Sequence, residues 1–512
     1  MTPPRPHCVE TDRDTPTRRI LQIAARQPSA PALWTPQGDA ISYGELARAV
    51  QRCLEGFRAQ GLGPGDPVAL TLPNGVDFVT AALALWRVGA VLVPLNPRLS
   101  EAEIAVILQD AQIHWRIGPQ AGGALCPVTP LAQEETPLAS SERDFPADLA
   151  ALVYTSGTTG RPKGVMLSHE NLLADAQANI AVLQADSNDR FLALPPLAHV
   201  YGLVNALLSA LMVGASTAFV DGFRPQRVAS ALEQLSISTL IAVPTMYQAM
   251  VAYLGRSTPI PQRFSSLRVC HSGAAAMPPS LIADIERYFG APVQEGYGLS
   301  EATSIVCSNP LAGPRKAGFV GPPVAGVALR VADAEGVVTQ PGAIGELQVK
   351  GPTVMRGYYR RPRETAAAFT PDGWLKTGDL ALRDADGYAA IVARQDDLIV
   401  VGGLKTYPRE IEEALLLHPD VAEAAVAGVA SQVAGGSSLT HQRIHAWIRP
   451  RPGAAPSVGE LAGACAQRLA SYKIPTRWHF TPDPLPQGPS GKILRKTLRE
   501  QALAQDSTPD TP

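Results

Sequence analysis

The sequence predicts an α/β protein followed by a small α+β domain, and three observations carry the prediction. From about Arg18 to Val320, helical apolar periodicity alternates with short β-branched runs, the layout of βαβ units and mostly parallel sheets. After Gly321 the texture changes to short strands broken by Gly and Pro, which predicts a small β subdomain over about 321–393. From Asp396 to about residue 503 a strand, a helix, two strands and a further helix follow in close order, the size and content of an independent domain.

The elements can be placed one by one. Ser42 with Glu45 and Ser100 with Glu103 have the spacing of capping boxes and mark two helix starts. Pro67 to Leu72, Val91 to Leu95, Ala151 to Tyr154 and Ser238 to Val243 are short apolar runs suited to buried strands. Val327 to Val331, Gly345 to Val349 and Tyr388 to Val392 supply the β subdomain. In the last domain a helix starts near Pro408, strands follow over Val421 to Val429 and Ile444 to Ile448, and Ser457 with Glu460 caps another helix. Residues 1–17 and 504–512 are polar and Pro-bearing, which predicts flexible tails.

Composition narrows the function. At 512 residues the chain implies two to four folding units with ample buried volume. Lys and Arg number 44 against 46 Asp and Glu, so no charge excess points to nucleic acid. Cys8, Cys53, Cys126, Cys270, Cys307 and Cys465 are scattered without CxxC or Cys/His spacing, which argues against zinc and disulfides and for a reducing, cytoplasmic setting. The N-terminus lacks the apolar core of a secretory signal. Leu203 to Val220 approaches the roughly 20 apolar residues a membrane span needs. Asn205, Ser209, Gly214, Ser216 and Thr217 interrupt it, and Gly214 is a natural helix stop, so a buried helix followed by a strand is expected, with no integral membrane segment.

Tyr154-Thr155-Ser156-Gly157-Thr158-Thr159-Gly160-Arg161-Pro162-Lys163-Gly164 is the most informative segment. A strand ending in hydroxyls and glycines offers backbone N–H groups, side-chain donors and close approach to anionic oxygens, and Lys163 adds charge. This composition suits a phosphate-gripping loop, although the Walker A spacing is absent. Pro196-Leu197-Ala198-His199-Val200-Tyr201-Gly202 places an imidazole at the end of an apolar segment; taken alone, such a His is more often a satisfied core residue. Ser272-Gly273-Ala274-Ala275 precedes Glu295-Gly296-Tyr297-Gly298-Leu299-Ser300-Glu301, where a ring flanked by glycines can lie on a base and a carboxylate can hold a hard cation. Trp374-Leu375-Lys376-Thr377-Gly378-Asp379 and Arg394 offer a carboxylate able to accept from two adjacent hydroxyls, with a charged donor. Gln395-Asp396-Asp397, Gly402-Gly403-Leu404-Lys405 and Pro489-Ser490-Gly491-Lys492-Ile493-Leu494-Arg495 complete the series; outside any family they read as a turn, a loop and a surface lysine.

With these motifs in this order, roughly from Ile41 to Arg499, the chain resembles the adenylate-forming ligase superfamily of acyl-CoA synthetases, nonribosomal-peptide adenylation domains and luciferases, and looks most like fatty-acid CoA ligases. The resemblance implies a large N-terminal domain over 18–393, made of two mostly parallel α/β subdomains plus the small β subdomain, and a mobile C-terminal domain over 396–503. It implies ATP, Mg²⁺ and coenzyme A as cofactor and cosubstrates. Thr155, Ser156, Gly157, Thr158, Thr159, Gly160 and Lys163 would grip phosphate, and Gly273, Ala274, Ala275, Glu295, Gly296, Tyr297 and Gly298 would surround the nucleotide, with Tyr297 against adenine. Ser300 would contact the α-phosphate, and Glu301 with Thr155 would hold the metal. Asp379 and Arg394 would bind ribose, Lys492 would serve adenylation, Asp396 would be the hinge, and Gly402 and Gly403 would line the pantetheine tunnel. Ala198 stands where the family usually has an aromatic residue, Ser300 where Thr is commoner, Ala393 where Gly precedes the Arg, and Gly488 where Thr is frequent.

The expected reaction follows. A carboxylate attacks the α-phosphorus of ATP, pyrophosphate leaves, and a thiol then attacks the acyl carbon of the acyl adenylate. Val243 to Tyr247, Ser272 to Met277 and Leu299 to Val306 carry no Lys or Arg for a second carboxylate. A monocarboxylic acid is therefore expected, a medium- or long-chain fatty acid by the room Gly273, Ala274 and Ala275 leave, in a pocket of His199, Val243, Met246, Gly273 and Gly298. Three alternatives stand beside it: an aromatic-acid CoA ligase; an acyl-AMP ligase loading an acyl carrier protein, which the long segment Ser431 to His441 keeps open; and a non-catalytic nucleotide sensor, against which Glu301, Asp379, Arg394 and Lys492 argue.

Overall fold

The computed structural model describes residues 14–119, 128–130, 145–155, 162–255, 263–338, 340–401, 404–431, 441–487 and 493–506. The chain divides into two units, one of Met1–Leu329 with Gln348–Thr377 and one of Arg330–Leu347 with Gly378–Pro512.

Two large sheets build the first unit. One has seven strands in the order Gly357–Tyr358, Lys163–Ser168, Leu149–Thr155, Val91–Pro94, Pro67–Leu70, Trp115–Ile117 and Val128–Pro130. The other has eight, in the order Cys307–Ser308, Val293–Tyr297, Val269–Ser272, Thr239–Ala242, Arg190–Ala193, Ser216–Ala218, Pro31–Trp34 and Ala40–Ser42. Their centres are parallel and their edges antiparallel. Pro67–Leu70, Val91–Pro94, Thr239–Ala242 and Val269–Ser272 are buried at every position, because helices cover both faces of a parallel sheet; this is why they read as unbroken apolar runs. The Ser42/Glu45 and Ser100/Glu103 capping boxes form as expected, and Ser168 with Asn171 adds another.

The apolar stretch after His199 is a buried helix and then a strand, with one difference from expectation. Tyr201–Leu208 is wound as a π-helix, and only Ser209–Val213 is α-helical before Gly214 ends it at φ 84°. The cause is local. The Ser209 hydroxyl and amide both donate to the Val204 carbonyl, and Asn179 donates to the Asn205 carbonyl and to Ser209 Oγ. Thus two of the polar residues that interrupt the stretch secure the wider winding. Gly202 is required here, since a β-carbon would stand 2.3 Å from the Pro196 carbonyl oxygen. Among the described residues no helix is long and apolar enough to cross a membrane.

A five-stranded sheet, ordered Val337–Val338, Ala328–Ala332, Gly345–Lys350, Leu375–Arg383 and Ala389–Arg394, contains the points at which the chain passes from one unit to the other. The end of the second unit is a three-stranded sheet in which Val421–Ser431 pairs antiparallel with His441–Pro450, which pairs parallel with Arg477–Phe480. Alternation sorts its faces. Val426, Ile444, Ala446 and Ile448 pack with Ile411 and Leu415 of helix Pro408–Leu416 and with Leu461 and Cys465 of helix Val458–Ala466. Ala425, Ala427, Val429 and Trp447 pack with Leu498 and Ala502 of helix Arg495–Asp506. Ser457 and Glu460 form their capping box.

Candidate active site

The candidate residues of the first unit lie where parallel strands end, the usual place for ligands in α/β sheets. Leu149–Thr155 runs out at Thr155, Val269–Ser272 at the Gly273 turn, and Val293–Tyr297 at Gly298. Thr155 is in register with Lys163 on the next antiparallel strand. The Lys163 ammonium sits 5.2 Å from the centre of the Tyr358 ring, and the Tyr358 hydroxyl donates to Glu301 Oε1 over 3.0 Å. Thr155, Lys163, Tyr358 and Glu301 therefore form one linked series from the hydroxyl loop to the expected metal carboxylate. Nothing in the sequence marks Tyr358 for this part; its only signal is an aromatic after the glycine of Gly357-Tyr358-Tyr359. The end of the strand is held from behind: Tyr154 donates to Asp110 Oδ2 over 2.7 Å, and Arg361 reaches Asp110 Oδ1 over 2.5 Å. Burial pushes the Tyr154 phenol well above its ordinary range, so it stays a neutral donor.

The Glu301 segment is drawn close to its own return path. A β-carbon at Gly298 would lie 1.3 Å from the Ser304 carbonyl oxygen, so only glycine fits. Tyr297 is paired with Cys307 and Gly296 with Ser308, and Glu295 is buried. Ser300 begins a single 3-10 turn containing Glu301. The Glu301 carboxylate is a hard oxygen donor of the kind that suits Mg²⁺, which is held by one or two carboxylates together with substrate phosphates. Among the described residues no group of three or more His, Cys, Asp or Glu converges.

Around the expected acyl pocket, His199 precedes the π-helix, Val243 caps helix Pro244–Leu254 and Met246 lies half-buried in its first turn. Ala274 takes a left-handed φ of 69°. Tyr201 crosses the space beside Gly273: a β-carbon there would meet the Tyr201 ring at 3.1 Å. Its hydroxyl bonds to His271 Nδ1 over 2.9 Å and lies 3.2 Å from the Ala242 carbonyl oxygen. His271 is 1% exposed, and burial pushes its pKa from 6.5 down to about 4. The folded state thus binds a proton less readily than the unfolded chain. Stability contributed by neutral His271 is complete above pH 6.5 and is lost as pH falls towards 4, by roughly 3 kcal/mol in all. Urea midpoints measured from pH 7.5 to 4.5 are expected to fall less steeply in His271→Asn than in the wild type; equal slopes would refute the assignment.

In the second unit, Asp379 and Arg394 are in register across an antiparallel pair, which turns a separation of fifteen residues into direct contact. Arg394 Nε stands 2.9 Å from Asp379 Oδ1. Asp379 is buried and Arg394 exposed, so a surface guanidinium orients a buried carboxylate. Asp396 is exposed in the 3-10 turn Gln395–Asp397. Ser156, Gly157, Thr158, Thr159, Gly160, Gly402, Gly403, Lys492 and residues 432–440 lie outside the described residues.

Parallel strands that end at hydroxyl and glycine residues, a carboxylate bonded by the Tyr358 hydroxyl and a separately held Asp–Arg pair are the groups expected of a nucleotide-using ligase. The family profile of the AMP-binding enzymes matches residues 21–359, and that of the AMP-binding enzyme C-terminal domain matches residues 410–492. The chain is 36% identical to a sulfoacetate–CoA ligase of Cupriavidus necator over 96% of its length and 98% of that protein's. It is 30% identical to a long-chain-fatty-acid–CoA ligase of Bacillus subtilis over 97% and 96%. The solved o-succinylbenzoate coenzyme A synthetase of Bacillus subtilis, in complex with ATP and magnesium ion, superposes with a TM-score of 0.79 at 29% identity, covering 94% of this chain and 99% of that one. The chain belongs to the AMP-binding enzyme family, among the adenylate-forming ligases. It is an AMP-forming acid–CoA ligase that uses ATP, Mg²⁺ and coenzyme A.

Proposed function

We propose that this chain activates a monocarboxylic acid with an apolar body, a medium- or long-chain fatty acid, to its acyl adenylate and passes the acyl group to coenzyme A. The observation that carries the reading is the Thr155–Lys163–Tyr358–Glu301 series, which joins a phosphate-type loop to a single carboxylate. Support for the acid comes from Val243 and Met246 and from the absence of Lys and Arg in residues 243–247, 272–277 and 299–306.

In this reading Glu301 and Thr155 hold Mg²⁺, which when bound neutralises phosphate charge. Tyr297 lies against adenine, Asp379 accepts from the ribose hydroxyls and Arg394 holds Asp379 in place. His199 orients the carboxylate, and Ser300 and Lys163 donate to phosphate oxygens. Lys492 spans the α-phosphate and the attacking carboxylate as the new O–P bond forms and the bond to pyrophosphate breaks. The thiol sulfur of coenzyme A, admitted past Gly402 and Gly403, then bonds to the acyl carbon; AMP leaves and the thiol proton passes to solvent. A turn of the small domain about Asp396 separates the two steps, and Asp396→Pro should slow thioester formation alone. The buried thiols of Cys53, Cys270, Cys307 and Cys465 suit a cytoplasmic place for the enzyme.

A second reading has one observation in its favour. Tyr201 fills the space beside Gly273, which favours a compact acid, aromatic or short, over a long chain. Acid-dependent pyrophosphate release across fatty acids of increasing length and aromatic acids decides between them. A rate that rises with chain length supports the fatty acid; activity only on short or aromatic acids overturns it. The same panel followed by thioester analysis with coenzyme A or an acyl carrier protein identifies the acceptor.

A further inference from the structure

Two residues beyond Glu301 the backbone takes an unusual shape. Thr303 has φ 65° and ψ −69°, and the Ser304 amide donates to the Ala302 carbonyl over 2.9 Å, which together make a γ-turn of the rare positive-φ kind. A β-branched residue is a poor choice for that region, and such strain persists only where the surroundings over-determine it. Here they do so from three sides. Gly298 lets the outgoing chain press against Ser304, and the Thr303 hydroxyl donates to the Thr353 carbonyl over 2.6 Å. Beneath the turn, Asp175 Oδ2 accepts from the Ser304 amide at 3.0 Å and the Ile305 amide at 2.9 Å.

Asp175 is poorly explained as a stabiliser of the core. It lies on helix His169–Leu183, is 0% exposed, and its Oδ1 is buried without a hydrogen-bond partner. Burial drives its pKa well above the usual carboxylate range, against the two amides that lower it. A carboxyl kept at this desolvation cost with one oxygen unused is an expensive way to satisfy two amides. Its position gives it a use: the amides it holds close the turn that follows Ser300 and Glu301, and the Glu301 carbonyl is itself held by the Met355 amide over 2.9 Å.

We propose that Asp175 is a positioning residue for adenylation: by gripping the Ser304 and Ile305 amides it locks the reversed turn at Thr303 and so sets where Ser300 and Glu301 meet the metal and the α-phosphate. The proposal rests on the reading that Glu301 holds Mg²⁺. Its action is through the backbone, so it governs the metal-dependent half-reaction and leaves thiolation alone.

The test measures pyrophosphate release against free Mg²⁺, and separately thioester formation from supplied acyl adenylate, in the full-length chain. Outer residues that orient a metal ligand are typically worth ten- to a hundredfold in metal affinity, so Asp175→Ala should need about tenfold or more Mg²⁺ for half-maximal adenylation. Thiolation should change by less than about twofold, and Asp175→Asn, which keeps an acceptor, should lie close to the wild type. In the double variant Asp175→Ala/Thr303→Gly the turn is free of β-branched strain, and its Mg²⁺ dependence should return towards the wild type, whether or not the single variant folds. Glu301→Gln separates the two claims. If it leaves Mg²⁺ dependence unchanged, the metal reading fails; if it shifts that dependence while Asp175→Ala and the double variant do not, positioning by Asp175 is overturned. Equal loss of both half-reactions in Asp175→Ala, without rescue in the double variant, also overturns it.

Discussion

Lys492→Ala is expected to lower acid-dependent pyrophosphate release by about a hundredfold or more while leaving thioester formation from supplied acyl adenylate within about threefold of the wild type. The reason is electrostatic. A carboxylate must approach a triphosphate, and both are anions; a compact cation on a long stem can meet the two oxygens at once as charge is redistributed. Once the acyl adenylate exists, AMP is already a good leaving group and the lysine has no further charge to offset. The described residues nearest to Lys492 in the sequence anchor one another: Gln487 and Ile493 form an antiparallel bridge, and the Leu494 amide donates to the Pro486 carbonyl over 2.8 Å. Removing the side chain therefore deletes a charge without loosening those anchors. Rapid-quench measurement of the two half-reactions checks the split, and equal loss of both would remove Lys492 from the adenylation role.

Arg495→Met should lower the stability of the second unit by about 3 kcal/mol, read as a melting midpoint lower by roughly 6–12 °C. Arg495 Nη2 contacts both Glu412 oxygens at 2.7 and 2.8 Å, its Nε donates to the Val426 carbonyl over 3.2 Å, and its Nη1 lies 3.6 Å from Asp397. Arg499 reaches the same Asp397 over 2.6 Å. The side chains of Arg495, Glu412 and Asp397 are 24%, 12% and 18% exposed, so solvent cannot replace the lost partner of Glu412. The network fastens the last helix to helix Pro408–Leu416 and to the residue after Asp396. Combining Arg495→Met with Glu412→Gln should cost less than the sum of the two, because each breaks the same pair. Strict additivity, from chemical denaturation of all four proteins, would refute the coupling.

How much of this was legible beforehand differs by kind of residue. Capping boxes were readable because their hydrogen bonds close within three residues, and Ser42, Ser100 and Ser457 each form them. The buried strands were readable because a covered parallel sheet demands unbroken apolar runs, although Ser238 to Val243 is trimmed to Thr239–Ala242 and Pro67 to Leu72 to Pro67–Leu70. The π-winding of Tyr201–Leu208 was not, since it depends on Asn179, which arrives from another helix. Asp379 and Arg394 were named together from their motif, but their direct contact follows from strand register. Tyr358, His271 and Asp175 carried no local signal: each acts through a partner more than fifty residues away.

By itself the sequence determined the α/β class and the order of the motifs, because these depend on periodicity and on neighbours along the chain. The tertiary structure decided that Tyr358 joins Lys163 to Glu301, that Tyr201 occupies the space Gly273 leaves, and that a buried Asp175 braces the turn behind Glu301. These are contacts between distant segments, created when strand ends converge, and no spacing along the chain encodes them.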